Sequence, residues 1–310
     1  MPYLCAHFRE SLEITGEQVH FAVSPDGYRW ETVNGGAPVI RSKKGCGGVR
    51  DIEILRRYDG GFSILATDLC IVKRMDEHHN VNWKDCNHNG SRYLAYWETD
   101  DLVHFSEQRL LFFGRDDFGC LWAPEVFCDG KSGQYLIHWG STTRADGYEH
   151  MRIFYTLTKD FISFTRPAVF FEKPNELLDS HLVKIGDTYH LFYKNSDCPA
   201  ANMHETAASL FGPFTHDDAF DARMRYYGSA GAYEAATTFI LPDGRWCLWL
   251  DYFGCPKPEM GYVPFVSKTP GNCNFRRADS EFSFPYGFKH GRVITITDAE
   301  YARLKTASFD

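Results

Sequence analysis

The 310-residue chain has no run of the roughly 18–20 apolar residues that a membrane-spanning helix needs, so no transmembrane segment is expected. It also lacks an excess of positive charge. Its 33 Lys and Arg stand against 41 Asp and Glu, a net charge of -8, which argues against nucleic acid as a partner and favours uncharged substrates. Closely spaced cysteines are missing as well. The ten cysteines (5, 46, 70, 86, 120, 128, 198, 247, 255 and 273) include no C-x-x-C pair, so the sequence shows no zinc signature. Reduced, mostly buried thiols are expected. The opening MPYLCAHFRE has neither the basic lead nor the apolar run of a signal peptide, from which a cytoplasmic chain is expected. Helical periodicity is nearly absent, and only DAEYARLK (298–305) reads as a short helix.

What the chain does have is aromatic residues, 16% of the total, and a repeat. An apolar alternating stretch leads to Ser or Thr, then a turn with Asp or Gly, then an aromatic residue. It occurs as FAVSPDGYRW ending at Trp30, YWETDDLVHF ending at Phe105 and YTLTKDFISF ending at Phe164. Weaker copies are TAASLFGPF ending at Phe214 and FVSKTPGNCNF ending at Phe275, so the intervals are 75, 59, 50 and 61 residues. Between copies lie strand-like segments such as GGFSILATDL, GQYLIHWGST, DTYHLFYKNS and GRWCLWLDYF. Repeated groups of about four strands predict an all-β chain, a five-bladed β-propeller forming one domain over 1–310. The first copy lacks a preceding inner strand and the strand at 291–297 lacks followers. The ring is therefore expected to close by the C-terminal strand joining the N-terminal strands, which removes two free edges.

Each repeat opens on a short stretch with an unusual polar residue: VRDIEI (49–54), LWAPEV (121–126), LLDSHLV (177–183), AYEAATTF (232–239) and KHGRVI (289–294). Inner strands of a propeller line its central funnel, so Asp51, Asp179 and Glu234 are expected to converge there from matching positions. An unpaired carboxylate opening an apolar strand is costly, and three of them point to chemistry rather than to turns. Converging carboxylates suit glycoside hydrolysis, with one protonated to serve the leaving oxygen and one ionised to activate water. A third nearby negative charge keeps the acid protonated.

These stretches resemble glycoside hydrolase family 43, the five-bladed arabinofuranosidases and β-xylosidases. The likeness rests on GVRDIEI with ILATDL, GSRYLAYWETDDLVHF, CLWAPEVFCD, LLDSHLVKIGDTYHLFYK, DGRWCLWLDYF and KHGRVITITDAEYARL, and spans essentially the whole chain. The resemblance implies Asp51 as general base, Asp179 as pKa modulator and Glu234 as general acid. It further implies an inverting exo-hydrolase that releases a terminal pentose, α-L-arabinofuranose ahead of β-D-xylose, from plant-type oligo- or polysaccharides. The family has Pro after the base and Gly-Pro after the acid, whereas Ile52 and Ala235-Ala236 stand here. That departure keeps open a silent carbohydrate- or protein-binding propeller beside a hydrolase acting on another furanoside, such as galactofuranose. A phosphorylase fits the acid-rich motifs less well.

Further candidates surround the trio. By the resemblance, Trp122 is expected to stack on a sugar and Lys194 to serve the site or pair with an acid, while Arg50 beside Asp51 is expected to hold a hydroxyl or keep the base ionised. Glu53, two residues after Asp51, would share its strand face by the period of two; Glu125 reads as a structural acceptor. His290 opens the last inner strand and, by the resemblance, helps hold water or a structural calcium; no cofactor is required. Residues 70–90, CIVKRMDEHHNVNWKDCNHNG, match no zinc spacing and are expected to form a mobile loop over the funnel mouth that sets substrate choice. No pattern assigns an oligomeric state.

Overall fold

The structure is a computed structural model that describes residues 1–9, 11–195, 202–227, 231–254, 261–285 and 287–309. The N-terminal strands are β1 (Tyr3–Arg9), β2 (His20–Ser24) and β3 (Glu31–Thr32). Then follow β4 (Val49–Arg56), β5 (Phe62–Asp68), helix α1 (Trp83–His88), β6 (Leu94–Thr99) and β7 (Arg109–Leu111). Next come β8 (Trp122–Asp129), β9 (Gln134–Ser141), β10 (Arg152–Thr158) and β11 (Ala168–Phe171). The chain continues through β12 (Leu177–Ile185), β13 (Thr188–Asn195), β14 (Asn202–Ala207), β15 (Thr215–His216) and helix α2 (Asp218–Tyr227). Last are β16 (Ala232–Ile240), β17 (Trp246–Phe253), β18 (Gly261–Ser267), β19 (Arg276–Arg277), β20 (Phe288–Thr295) and helix α3 (Asp298–Thr306).

Strands β8–β11, β12–β15 and β16–β19 each form a four-stranded antiparallel sheet. The remaining strands make one eight-stranded sheet, β3-β2-β1-β20-β4-β5-β6-β7. Its two halves are four-strand groups of the same kind, joined by one parallel bridge between Gly291 and Ile52. The C-terminal strand β20 pairs antiparallel with β1, as the end strands of the sequence suggest. Among the described residues no sheet closes on itself. The first strands of the groups nevertheless follow one another in space, with β4 beside β8, β8 beside β12, β12 beside β16, β16 beside β20 and β20 beside β4.

The sequence repeat is a hydrogen-bonded turn between the third and fourth strands of a group. Thr99 Oγ1 accepts from the Asp101 and Leu102 amides, and Asp101 Oδ1 accepts from Val103 and His104. Thr158 with Asp160, and Ser24 with Asp26, repeat the same bonds. Short polar side chains thus satisfy amides that no strand partner reaches. The two weaker copies turn through Gly212 and Gly271, at φ 83° and 81°.

The aromatic residues sit between neighbouring sheets. Phe192, Tyr193, Trp246 and Phe265 fill the seam between β12–β15 and β16–β19, and Trp30, Phe239 and Trp249 fill the one between β16–β19 and the β1 group. Trp30 meets Trp249 edge-on at 4.9 Å. Strands such as β17, WCLWLDYF, are covered on both faces and read as nearly continuous apolar runs. All eight described cysteines are free thiols, five of them buried; Cys198 and Cys255 lie outside the described residues. Helix α3 forms where expected, with a capping box of Thr297 and Glu300.

Candidate active site

One irregularity builds the site. In β4, β8, β12, β16 and β20 the register slips so that three steps on the first strand meet two on its partner. These slips span Arg50–Glu53, Trp122–Glu125, Leu178–His181, Glu234–Thr237 and Lys289–Arg292. Such a bulge bends the strand and re-aims its side chains. The residue after the slip begins takes a left-handed backbone in four of the strands: Asp51 (φ 52°), Ala123 (51°), Asp179 (53°) and Ala235 (53°). His290 is the equivalent residue in β20.

The bulges sort the polar residues into two layers. The upper layer comprises Arg50, Asp51, Trp122, Asp179, Glu234, Lys289 and His290, which with Lys194 line one cavity of about 570 Å³. The lower layer holds Glu53, Glu125, His181 and Arg292. Two expectations are corrected here. Asp51 and Asp179 occupy matching positions, but Glu234 stands one residue earlier, level with Arg50, Trp122 and Lys289. Glu53 does not share the face of Asp51, because the extra residue breaks the period of two. It lies instead 3.9 Å from Arg292, which is also 3.6 Å from Glu125. Glu125 stands in a structural contact, its Oε2 2.8 Å from His181 Nδ1.

Cations set the charge state of the trio. His290 Nδ1 lies 3.2 Å from Asp51 Oδ1 and 3.8 Å from Asp179 Oδ1. Burial opposes the charge on His290, yet Asp179 and Asp51 outweigh it and raise its pKa to about 10. Burial likewise opposes the charge on Asp51. The imidazolium, Arg50 and the Thr67 hydroxyl at 2.7 Å overcome this and bring it down to about 2, so Asp51 is ionised. Lys194 Nζ donates to Glu234 Oε2 at 2.5 Å. Against burial, Lys194 and Lys289 hold Glu234 below the usual carboxylate range. Asp179 differs: burial, reinforced by Glu234 and Asp51 and only partly offset by His290, pushes it up to about 7. The side chains of Asp51 and Glu234 are 16% and 20% exposed to the cavity, that of Asp179 only 5%. Two carboxylates therefore face an incoming molecule and the third stands behind them.

Several contributors escaped sequence reading. Glu17 Oε1 accepts from Arg50 Nη1 at 2.7 Å, and the guanidinium lies 4.3 Å over the Phe8 ring. Asp251, across the register from Glu234, accepts from Lys289 Nζ at 2.6 Å and from the His290 amide at 3.3 Å. Its signal was present: an acid interrupting the apolar run of β17, the same pattern that singles out Asp51. With Lys289 and Lys194 among its walls, the cavity is less acidic than its motifs suggest. Trp83 is another, meeting Trp122 edge-on at 6.2 Å. Residues 70–90 form more than a bare loop. Asn82 caps α1 by accepting from the Asp85 amide, Met75 bridges to Val81, and Ile71, Met75, Val81 and Trp83 supply an apolar wall.

Comparison with known proteins bears on this geometry. An α-L-arabinofuranosidase of Bifidobacterium longum subsp. longum is 26% identical over 206 residues, 60% of this chain. The chain spans only 19% of that relative's length. A GH43 protein from Bacillus licheniformis superposes with a TM-score of 0.53 at 14% identity, covering 87% of this chain and 52% of its own. The exo-β-1,3-galactanase of Phanerochaete chrysosporium gives a TM-score of 0.53 at 14% identity, covering 78% of this chain and 53% of its own. At such identities these two structures establish the shared fold. The family described as "Probable glycosyl hydrolase domain", related to glycoside hydrolase family 43, matches residues 1–302, and the chain belongs to that family.

Proposed function

We propose that the chain is a five-bladed β-propeller and an inverting exo-glycoside hydrolase that releases a terminal pentose, α-L-arabinofuranose ahead of β-D-xylose, from oligosaccharides. The five recurring bulges and the succession of first strands support five blades, with β20 and β1 to β3 as the blade made from both ends. The observation that carries the catalytic reading is the division of the trio into two cavity-facing carboxylates and one buried, proton-holding neighbour. Asp51, ionised by His290 and held by Thr67, is the base that takes a proton from water. Glu234 is the acid that serves the glycosidic oxygen, and Asp179 modulates it.

In the resting site the shared proton rests on Asp179 while Glu234 pairs with Lys194. The two carboxyl groups are electrostatically coupled, so their pKa values belong to the pair. A glycosidic oxygen seated on Glu234 displaces the ammonium, and the proton passes to Glu234. Trp122 and Trp83 offer aromatic faces to the sugar, and Arg50 reaches its hydroxyls. The sugar preference draws on the arabinofuranosidase relative. A structural calcium near His290 fits poorly, because calcium takes oxygen ligands and His290 already faces Asp51 and Asp179 as a cation. No step here involves a metal.

One observation favours a second reading. Glu234 is held ionised by Lys194 in the resting site, as it would be in a propeller that binds sugar without cleaving it. A panel of 4-nitrophenyl glycosides separates the two: turnover of the α-L-arabinofuranoside, with inverted product in early-time NMR, is expected. Preference for a galactofuranoside would reassign the sugar, net retention would remove the water-attack scheme, and turnover of no glycoside would leave the silent propeller.

A further inference from the structure

Outside the cavity, three side chains from two sheets come together beside a separate surface hollow. His190 of β13 and His204 of β14 are 3% and 0% exposed, and Cys273 lies between β18 and β19 of the neighbouring sheet. We infer that His190, His204 and Cys273 form a zinc site that pins the seam between the β12–β15 and β16–β19 sheets.

The distances carry this inference. His190 Nδ1 and His204 Nε2 are 3.1 Å apart, and Cys273 Sγ is 3.7 Å from each. A tetrahedral ion with bonds of about 2.0–2.1 Å to nitrogen and about 2.3 Å to sulfur sets its nitrogens about 3.3 Å apart and its sulfur about 3.6 Å from each. The three donor atoms thus already outline one face of that tetrahedron. The surroundings agree. His204 Nδ1 lies 3.0 Å from Asp217 Oδ2; donation to this carboxylate leaves Nε2 bare and aimed at the cluster. Asp217 is itself fixed at the start of α2 by the Phe220 amide. The charge of the ion is balanced by the Cys273 thiolate and the Asp217 carboxylate. A surface hollow lined by Thr188, His190, Asp217, Gly271 and Cys273 gives the fourth position to water.

Cys273 binds as thiolate, so its proton leaves to solvent when the ion enters. Protons compete with the ion for Sγ, so loading is expected to weaken as pH falls. The ligands are 14 and 69 residues apart in sequence, and no short spacing motif announces them.

The test uses the full chain, freed of metal with a chelator and titrated with Co²⁺ and Zn²⁺ against a chromophoric competitor. One equivalent of Co²⁺ should bind with a near-ultraviolet sulfur-to-cobalt charge-transfer band, and Zn²⁺ should displace it and raise the melting temperature. Cys273→Ser, a near-isosteric change at a partly exposed site, should abolish the band and the thermal shift. Asp217→Asn should weaken binding about 10- to 100-fold while keeping the band. A wild-type chain that binds no more Zn²⁺ than Cys273→Ser overturns the inference. So does a Cys273→Ser variant that keeps the charge-transfer band, which would trace it to another thiol. Were Cys273→Ser to fail to fold, a wild-type melting temperature insensitive to Zn²⁺ would overturn the inference equally.

Discussion

Replacing Asp179 with Asn probes the buried member of the trio directly. Asp179 is 5% exposed, and burial with the charges of Glu234 and Asp51 lifts its pKa from 3.8 to about 7. Between those values the native chain holds a proton that the unfolded chain has released. Native protein then binds more protons, and wild-type stability falls as pH rises through that window. At about 1.4 kcal/mol for each tenfold change in proton affinity, that rise in pKa corresponds to at most about 4 kcal/mol. Asn titrates no proton there. The unfolding free energy of Asp179→Asn minus that of wild type should therefore move in favour of the variant, by up to about 4 kcal/mol, between about pH 4 and about pH 8. Urea denaturation followed by tryptophan fluorescence at several pH values, with a constant slope on denaturant, reads this difference. A difference that does not change with pH would refute the placement of the proton on Asp179. In an active enzyme the alkaline limb of the rate profile should also fall to lower pH in this variant.

Ala235 holds a left-handed backbone at φ 53°, which only glycine adopts freely, so Ala235→Gly should stabilise the chain by about 0.5–1 kcal/mol. Loss of stability in chemical denaturation would contradict that. Arg292 lies between Glu53 and Glu125 in the lower layer, and Arg292→Met should destabilise the chain by about 1–3 kcal/mol because two buried carboxyl groups lose their polar partner. Adding Glu125→Gln should recover part of it, and an unaffected midpoint for the single variant would argue against the network. Ending the chain at residue 287 removes β20, the partner of β1. The truncated chain should lose cooperative unfolding, and an unchanged melting curve would remove the role of β20 in joining the two ends.

Much of this architecture was legible because the repeat is local chemistry. Thr99 with Asp101 and Thr158 with Asp160 are turns written in consecutive residues, and the aromatic content reflects seams between sheets. Asp51, Asp179 and His290 stand out as polar residues opening apolar strands. The bulge was not legible, since an extra residue inside a strand leaves no mark on composition, and so Glu53 was given the wrong face. Helix α2 also escaped notice. Its apolar core contacts, Phe220 and Met224, give too short a stripe to stand out. Trp83, Glu17 and the His190–His204–Cys273 cluster depend on contacts across long sequence separations. Proline and glycine are absent beside the acids, yet Ala235 adopts the same left-handed backbone as Asp51 and Asp179, so the strand geometry survives the substitution at a cost in strain.

The most direct trial of the catalytic claim is the turnover number of wild type, Asp51→Asn and Glu234→Gln on the glycoside that wild type cleaves, with folding verified for each. Cooperation of the two cavity-facing carboxylates predicts that each variant loses about 10²–10⁴-fold in rate while keeping the native fold. Undiminished turnover in either variant would contradict the assignment of base and acid.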